Sequence, residues 1–287
     1  MSKEVKCLIG LIGGLGNQLH QIALGLFLEQ QGYRVSFDIS ARNLSPTVQK
    51  INSELSHFVE ARIERSSRFI PSSLGRFKRI ARVIWKLRHP SYDLVIDETA
   101  YGPDLIDFSR NIHLVGYFQR YEYANIVKMK FAKYNENSDE VQPRIAIHIR
   151  LGDYAGLPSE LPFSYYRHLI SLFRTNPRFG NFPIHIISND PNSCMKALSD
   201  FKFLHYSSST DEYDDFEFLR QSKVLAISKS SFSWWSGFLS ELEVYYPHPW
   251  DFDFQEQSGL LMHDTLRWNP IEYPKLEVNP SSSGGYQ

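Results

Sequence analysis

Residues 6–18 read Lys6-Cys7-Leu8-Ile9-Gly10-Leu11-Ile12-Gly13-Gly14-Leu15-Gly16-Asn17-Gln18. The apolar run ends in glycines, a helical pattern follows from about Asn17 to Gln31, and a second strand-like run covers Tyr33–Asp38. This is a βαβ opening, and it predicts an α/β protein built on parallel sheet. The leading MSKEVKCLIGLIGG has only a short apolar stretch, broken by Gly10, so it reads as a first strand and not as a signal peptide. Glycines at 14 and 16 allow close approach to the backbone, and a helix beginning near Asn17 and Gln18 offers unpaired N–H groups and a positive dipole end to an anion. A tight βα turn with no ligand fits the same residues. GxGxxG fails because Leu19 stands where the third glycine belongs, and GxxxxGK[ST] is absent.

The same alternation runs through the 287-residue chain. A strand is expected at Ile112–Val115 and a helix at Tyr121–Lys133, with 41–90 ambiguous and a polar stretch at 135–143. Beyond it come strands at 144–149, 184–188 and 223–227, and helices at 163–173, 192–198, 211–221 and 232–242, the last stopped by Pro247 and Pro249. Two Rossmann-like domains, 1–140 and 141–275, are therefore expected to face each other across a cleft, with ligands at the carboxyl ends of the strands. Residues 276–287 read as a frayed tail.

Composition narrows the function. With 42% hydrophobic and 22% charged residues the chain is neither disordered nor collagen-like. Two cysteines make no disulfide framework or zinc motif, which fits a reducing cytoplasm. No apolar run is long enough to span a membrane. The net charge of −1 argues against a nucleic-acid binder, but residues 62–88 carry +8 and the remainder −9. Within that stretch Leu74, Phe77, Ile80, Ile84 and Leu87 fall on one helical face among basic residues. Such a helix either rests on anionic lipid or packs as an ordinary surface helix.

Three strand ends in the second half carry chemistry. His148 and Arg150 alternate to one face at the end of a strand, and a guanidinium suits phosphate through its planar, permanently charged fork. Asp153, in the turn beyond, is a base, an orienter of Arg150 or a cap. In Ser188-Asn189-Asp190 a carboxylate either accepts paired hydrogen bonds from a guanine or caps the next helix. In Ser228-Lys229-Ser230-Ser231-Phe232-Ser233-Trp234-Trp235, hydroxyls and amides at a helix start form a phosphate cradle, and the tryptophans pack in the core or stack on a base. Asp251-Phe252-Asp253 imitates a metal-binding DxD, but it follows Pro247-His248-Pro249-Trp250 and not a mid-chain strand, so no metal is expected.

Taken together these segments resemble the bacterial α-1,2-fucosyltransferases of glycosyltransferase family 11. The likeness rests on GGLGNQLHQIALG from Gly13, Gly116-Tyr117-Phe118-Gln119, His148–Tyr154, Ser188-Asn189-Asp190, Ser230–Trp235, Pro249-Trp250 and Trp268-Asn269. The family's second arginine is missing, since Leu151 stands in its place. The resemblance implies a GT-B-like fold and inverting transfer of L-fucose from GDP-β-L-fucose to the 2-hydroxyl of a terminal galactose, with no essential metal or other cofactor. It implies Arg150 on the donor pyrophosphate, His148 and Asp190 on guanine, and Ser230, Ser231, Phe232 and Ser233 with their amides as the phosphate cradle. The loop holding Gly14, Gly16, Asn17 and Gln18 would close on the diphosphate, and Asp153 would take the acceptor proton. The expected acceptor is a galactose-terminated bacterial surface glycan, such as an O-antigen repeat on a lipid carrier, reached from the cytoplasm with 62–88 against the inner membrane.

Overall fold

The computed structural model describes residues 5–64, 83–87, 90–96, 111–132, 141–151, 160–207, 209–248 and 267–273. The first half runs β1 (Lys6–Gly10), α1 (Leu15–Gln30), β2 (Arg34–Asp38), α2 (Pro46–Ile51), α3 (Ser53–Glu60) and β3 (Ile63–Glu64). It continues through a helical segment α4 (83–87), β4 (Tyr92–Ile96), β5 (Asn111–Val115) and α5 (Tyr121–Ala132). The second half runs β6 (Gln142–Ile149), α6 (Phe163–Thr175), β7 (Ile184–Ser188), α7 (Pro191–Ala197), β8 (Leu204–Ser207), α8 (Glu212–Arg220), β9 (Ser222–Ala226), α9 (Ser231–Phe238), β10 (Glu243–His248) and β11 (Trp268–Glu272).

Each half builds its own parallel sheet, ordered β3-β2-β1-β5-β4 and β11-β10-β9-β6-β7-β8. In the first sheet Ile9 pairs with Phe37 on one side and Leu114 on the other, so β1 is central and must be apolar on both faces. The strand order reverses beside β1 in the first sheet and beside β6 in the second, and such reversals open crevices at the carboxyl ends of the strands. The glycine loop leaves β1, Arg150 leaves β6, and Ser228–Ser231 leave β9 at those crevices. The chain is thus α/β and GT-B-like, two Rossmann-like sheets meeting at a cleft.

The halves share a core. Leu15 and Leu19 of α1 belong to the same buried cluster as Trp234, Trp235 and Phe238 of α9. His20 sits between the two indoles, 5.2 Å from the Trp234 ring and 4.8 Å from that of Trp235. Both tryptophans are about fully buried, so they pack and do not stack on a base. A second cluster fills the far side of the second sheet, where α6 buries Tyr165, Tyr166, Leu169, Ile170 and Phe173 at helical spacing.

Several elements depart from the sequence reading. α9 ends at Phe238, so 239–242 are not helical, and Glu243–His248, including the expected stop at Pro247, form β10. Pro247 is tolerated there because only Glu243–Tyr245 pair with β9, while Pro247 pairs with β11 alone. β4, β8 and β11 are short edge or near-edge strands with little apolar signal of their own. In the ambiguous 41–90 region, Ser45 with Pro46 opens α2 and Asn52 caps α3. The basic helix face is only partly in view, since Leu74, Phe77 and Ile80 lie outside the described residues. Trp85 is the residue turned inward, against His113, while Val83, Ile84 and Leu87 are 60%, 44% and 77% exposed. Two cations of the stretch pair locally, Arg62 with Glu29 and Lys86 with Asp93. No helix of the described residues is long and apolar enough to cross a membrane. The 276–287 tail and Asp251-Phe252-Asp253 lie outside the described residues.

Candidate active site

A cleft of about 890 Å³ opens between the halves, within the range of small-ligand sites. The first half contributes Gly13–Asn17, Arg42, Tyr117 and Gln119, and the second contributes His148, Arg150, Ile187–Asn189, Ser209, Glu212, Asp215 and Lys229–Phe232.

The glycine loop is built for two different approaches. Gly14 caps α1 with only open space where a side chain would stand, so the cleft reaches its backbone. Gly16 faces protein instead, because a Cβ there would lie 2.5 Å from the carbonyl carbon of Ser231 and 2.6 Å from the amide nitrogen of Phe232. Gly13 takes a positive φ of 74°, and a side chain on it would strike Asn17. The two helix N-termini, α1 and α9, are thereby brought together at one end of the cleft. Asn17 seals the junction, its Oδ1 accepting from Ser231 Oγ at 2.9 Å and from Gln119 Nε2 at 2.9 Å. Gln119 is presented by Phe118, a buried residue held at φ 51°, a left-handed conformation that costs a non-glycine residue about 1–2 kcal/mol. Gln21 ties this turn to the loop by donating to Gly116 O and accepting from Ile12 N–H.

In the second half His148 is 5% exposed, with Nδ1 2.8 Å from Ser228 Oγ and its ring against Phe232. Burial first, and then the neighbouring Arg150 guanidinium, push its pKa down to about 3, so the imidazole is neutral at any physiological pH. Arg150, at the strand end, lines the cleft. Its successor Leu151 turns into the second core, and its backbone is clamped by Asn189, which accepts from Leu151 N–H and donates to Leu151 O.

The other sequence-chosen residues divide. Ser230, Ser231 and Phe232 line the cleft at the start of α9, whose cap makes no side-chain hydrogen bond. Ser233 is fully buried and its hydroxyl donates to Ser230 O. Gln18 is also buried, accepting from Ser45 N–H and donating to Asn43 O. Asp190 caps α7, with Oδ1 accepting from Ser193 N–H at 3.0 Å and Oδ2 from Ser193 Oγ at 2.6 Å. Those bonds to Ser193 lower its pKa, and it is absent from the cleft wall. Asp153 lies outside the described residues.

Residues that the sequence reading left unassigned also line the cleft. Asp215 is a half-buried carboxylate whose pKa is raised, chiefly by burial, and whose Oδ1 accepts from Ser209 N–H. It hides in the acidic run 211–217, which reads as a solvated helix start; its neighbours Glu212 and Asp214 are no different in sequence. Arg42 follows β2 in a loop that carries no motif. Tyr117 and Gln119 were visible as a motif without a chemical role. Among the described residues no cluster of three or more His, Cys, Asp or Glu could hold a metal ion.

Residues 108–248 match the sequence profile of Glycosyl transferase family 11. The chain is 24% identical over 292 residues to the alpha-1,2-colitosyltransferase of Escherichia coli, an alignment covering 87% of this chain and 93% of that protein. Among solved structures it resembles the E. coli heptosyltransferase WaaC with ADP, at a TM-score of 0.49 and 14% identity over 94% of both chains. It also resembles the fucosyltransferase NodZ from Bradyrhizobium, at a TM-score of 0.45 and 11% identity over 83% of this chain and 94% of that one. The matched segment contains His148, Arg150, Asp215 and the α9 N-terminus, which form most of the cleft's second wall. The match over residues 108–248 and the likeness to the alpha-1,2-colitosyltransferase together support a glycosyltransferase of the family 11 type.

Proposed function

We propose that the protein transfers L-fucose from GDP-β-L-fucose to the 2-hydroxyl of a terminal galactose, with inversion to an α-1,2 linkage. The observation that carries this reading is the convergence of Arg150 with the N-termini of α1 and α9 on one cleft. When GDP departs, negative charge grows on its terminal phosphate. A fixed guanidinium and unpaired helix N–H groups stabilise that charge without a metal. The reading assigns the guanine to the region of neutral His148 and Asp215, since a carboxylate there can accept from the N1–H and amino group together. Asp190 caps α7 through Ser193 and does not line the cleft, so it is not assigned to the base. Asp153 is assigned the acceptor proton; an Asp153→Asn variant with an unaltered pH–rate profile would remove it from that role.

The likeness to an alpha-1,2-colitosyltransferase supports an α-1,2 linkage and favours one second reading, transfer of colitose, which is fucose without its 3-hydroxyl. Incubation with GDP-fucose and with GDP-colitose against a panel of galactosyl acceptors separates the two. Transfer from neither, by a protein that binds GDP, would overturn both. A lipid-linked surface glycan as acceptor and contact of 62–88 with an anionic membrane belong to the same proposal, supported by the +8 charge and the exposed Val83, Ile84 and Leu87. Liposome co-sedimentation should show binding that requires anionic lipid; no binding to either lipid type would remove the membrane contact.

A further inference from the structure

We infer that Arg42 supplies the donor diphosphate with its second cation, from the opposite half of the molecule to Arg150; this rests on the nucleoside-diphosphate-sugar reading above. Leu151, the residue after Arg150, turns away from the cleft. Its side chain is 8% exposed inside the second core and its backbone is clamped on both sides by Asn189, so position 151 faces away from the cleft. The wall around Arg150 therefore gains no positive charge from its neighbour. Lys229 reaches the cleft wall but is 8% exposed, with Nζ 5.4 Å from the centre of the Tyr273 ring, on the side of the second core. His148 is neutral.

Arg42 stands across from these. It is exposed, lines the cleft, and none of the hydrogen bonds or ion pairs among the described residues engages its guanidinium. Its backbone is nevertheless held on both sides. Ser40 N–H donates to Asp38 Oδ1 before it, and the Gln18 side chain grips Asn43 O and Ser45 N–H after it. The strap is then pinned to the second half, because Ser45 Oγ and Thr47 Oγ1 both donate to Glu212 Oε2 and Lys50 pairs with Asp211. Glu212 is thus engaged, and one oxygen of Asp215 is taken by Ser209. A long cationic side chain on an anchored backbone, facing a cleft already lined by Arg150 and two helix N-termini, has the geometry to meet the charge of a diphosphate bidentately. Gln18, which is not on the cleft wall, acts here as a positioning residue.

Calorimetric titration of the full chain with GDP tests this. Arg42→Ala should weaken GDP binding about 10- to 100-fold, the range for losing charge-assisted hydrogen bonds, and Arg42→Lys should recover part of it. The unliganded melting temperature should not move, because no hydrogen bond or ion pair among the described residues engages the Arg42 side chain. Wild-type affinity in a folded Arg42→Ala protein would overturn the role of Arg42 and leave the donor reading standing. A fall in the unliganded melting temperature matching the loss of affinity would overturn it in favour of a structural role. Absence of GDP binding by the wild type would overturn the donor reading, and the role of Arg42 with it.

Discussion

Gly16 of the first half lies against the backbone of Ser231 in the second, close enough that a methyl group on it would come within 2.5 Å of the Ser231 carbonyl carbon. The obstacle is main chain, which cannot rotate aside. Gly16→Ala should therefore lower the free energy of unfolding by about 1–3 kcal/mol, the usual cost of forcing a methyl into a packed site. It should also push the start of α9 away from Asn17 and lower kcat. Chemical denaturation and turnover measured on the same preparation check both; an Ala variant as stable and as active as the wild type would mean that the helices separate freely.

Arg150 stands at the end of a central strand, with Leu151 beyond it locked to Asn189. Removing its guanidinium takes away a charge whose position is fixed before the reaction begins. Arg150→Ala should lower kcat by roughly 10²-fold or more, the scale of losing one preorganised charge-stabilising donor. Initial rates at saturating donor provide the check, and near-normal turnover would remove Arg150 from the transition state.

Asp190 and Asp215 make a matched pair. Both are carboxylates beside cleft residues, but one caps α7 through Ser193 and the other faces the cleft with a raised pKa. Asp215→Asn should weaken GDP binding about 10- to 100-fold by turning an acceptor pair into a donor and an acceptor. Asp190→Ala should leave GDP affinity unchanged and cost about 1 kcal/mol of stability through loss of the α7 cap. The reverse pattern in calorimetry would move the base-binding carboxylate to Asp190.

Two buried histidines couple stability to acidity. His20 and His148 both have pKa values pushed down to about 3 by burial, with Arg150 adding to the effect at His148. Their unfolded counterparts titrate near the ordinary value of 6.5. Between these values the unfolded chain binds protons that the folded protein refuses, so stability is full above the unfolded value and falls as pH drops through the window. The slope is at most about 1.4 kcal/mol per pH unit for each histidine. Among the described residues neither ring nitrogen of His20 has a hydrogen-bond partner, so a ring without nitrogens fits its place. His20→Phe should make the pH dependence shallower by about that amount between neutral pH and pH 5, measured by urea unfolding. An unchanged slope would mean that His20 takes up its proton in the folded state.

The parallel α/β plan was legible because β1, β6, β7 and β9 are apolar runs that announce themselves, and because glycines and serines follow them where a crevice must open. What the sequence concealed was direction. Asp190 sits at a strand end as a site residue should, yet it spends both oxygens on the next turn of chain, while Asp215 reaches the cleft from a helix that reads as solvent-facing. Gln18 belongs to the same motif as Asn17, but the step of about 100° between adjacent helical residues turns it to the strap at 43–45 and not to the donor. Arg42 had no local signal at all, since its place is decided by contacts made far along the chain with Glu212 and Asp211. Short edge strands such as β8 carry too few residues for a period to show.

The buried seam of Leu15, Leu19 and His20 against Trp234, Trp235 and Phe238 means that neither half can be lifted out as a module. Cutting the chain near 140 would bare two indoles on one fragment and a leucine-lined helix on the other, leaving both prone to aggregate. A chimera that exchanges the first half with that of a relative would therefore have to carry α9 along with α1, treating these two helices as a single inherited unit.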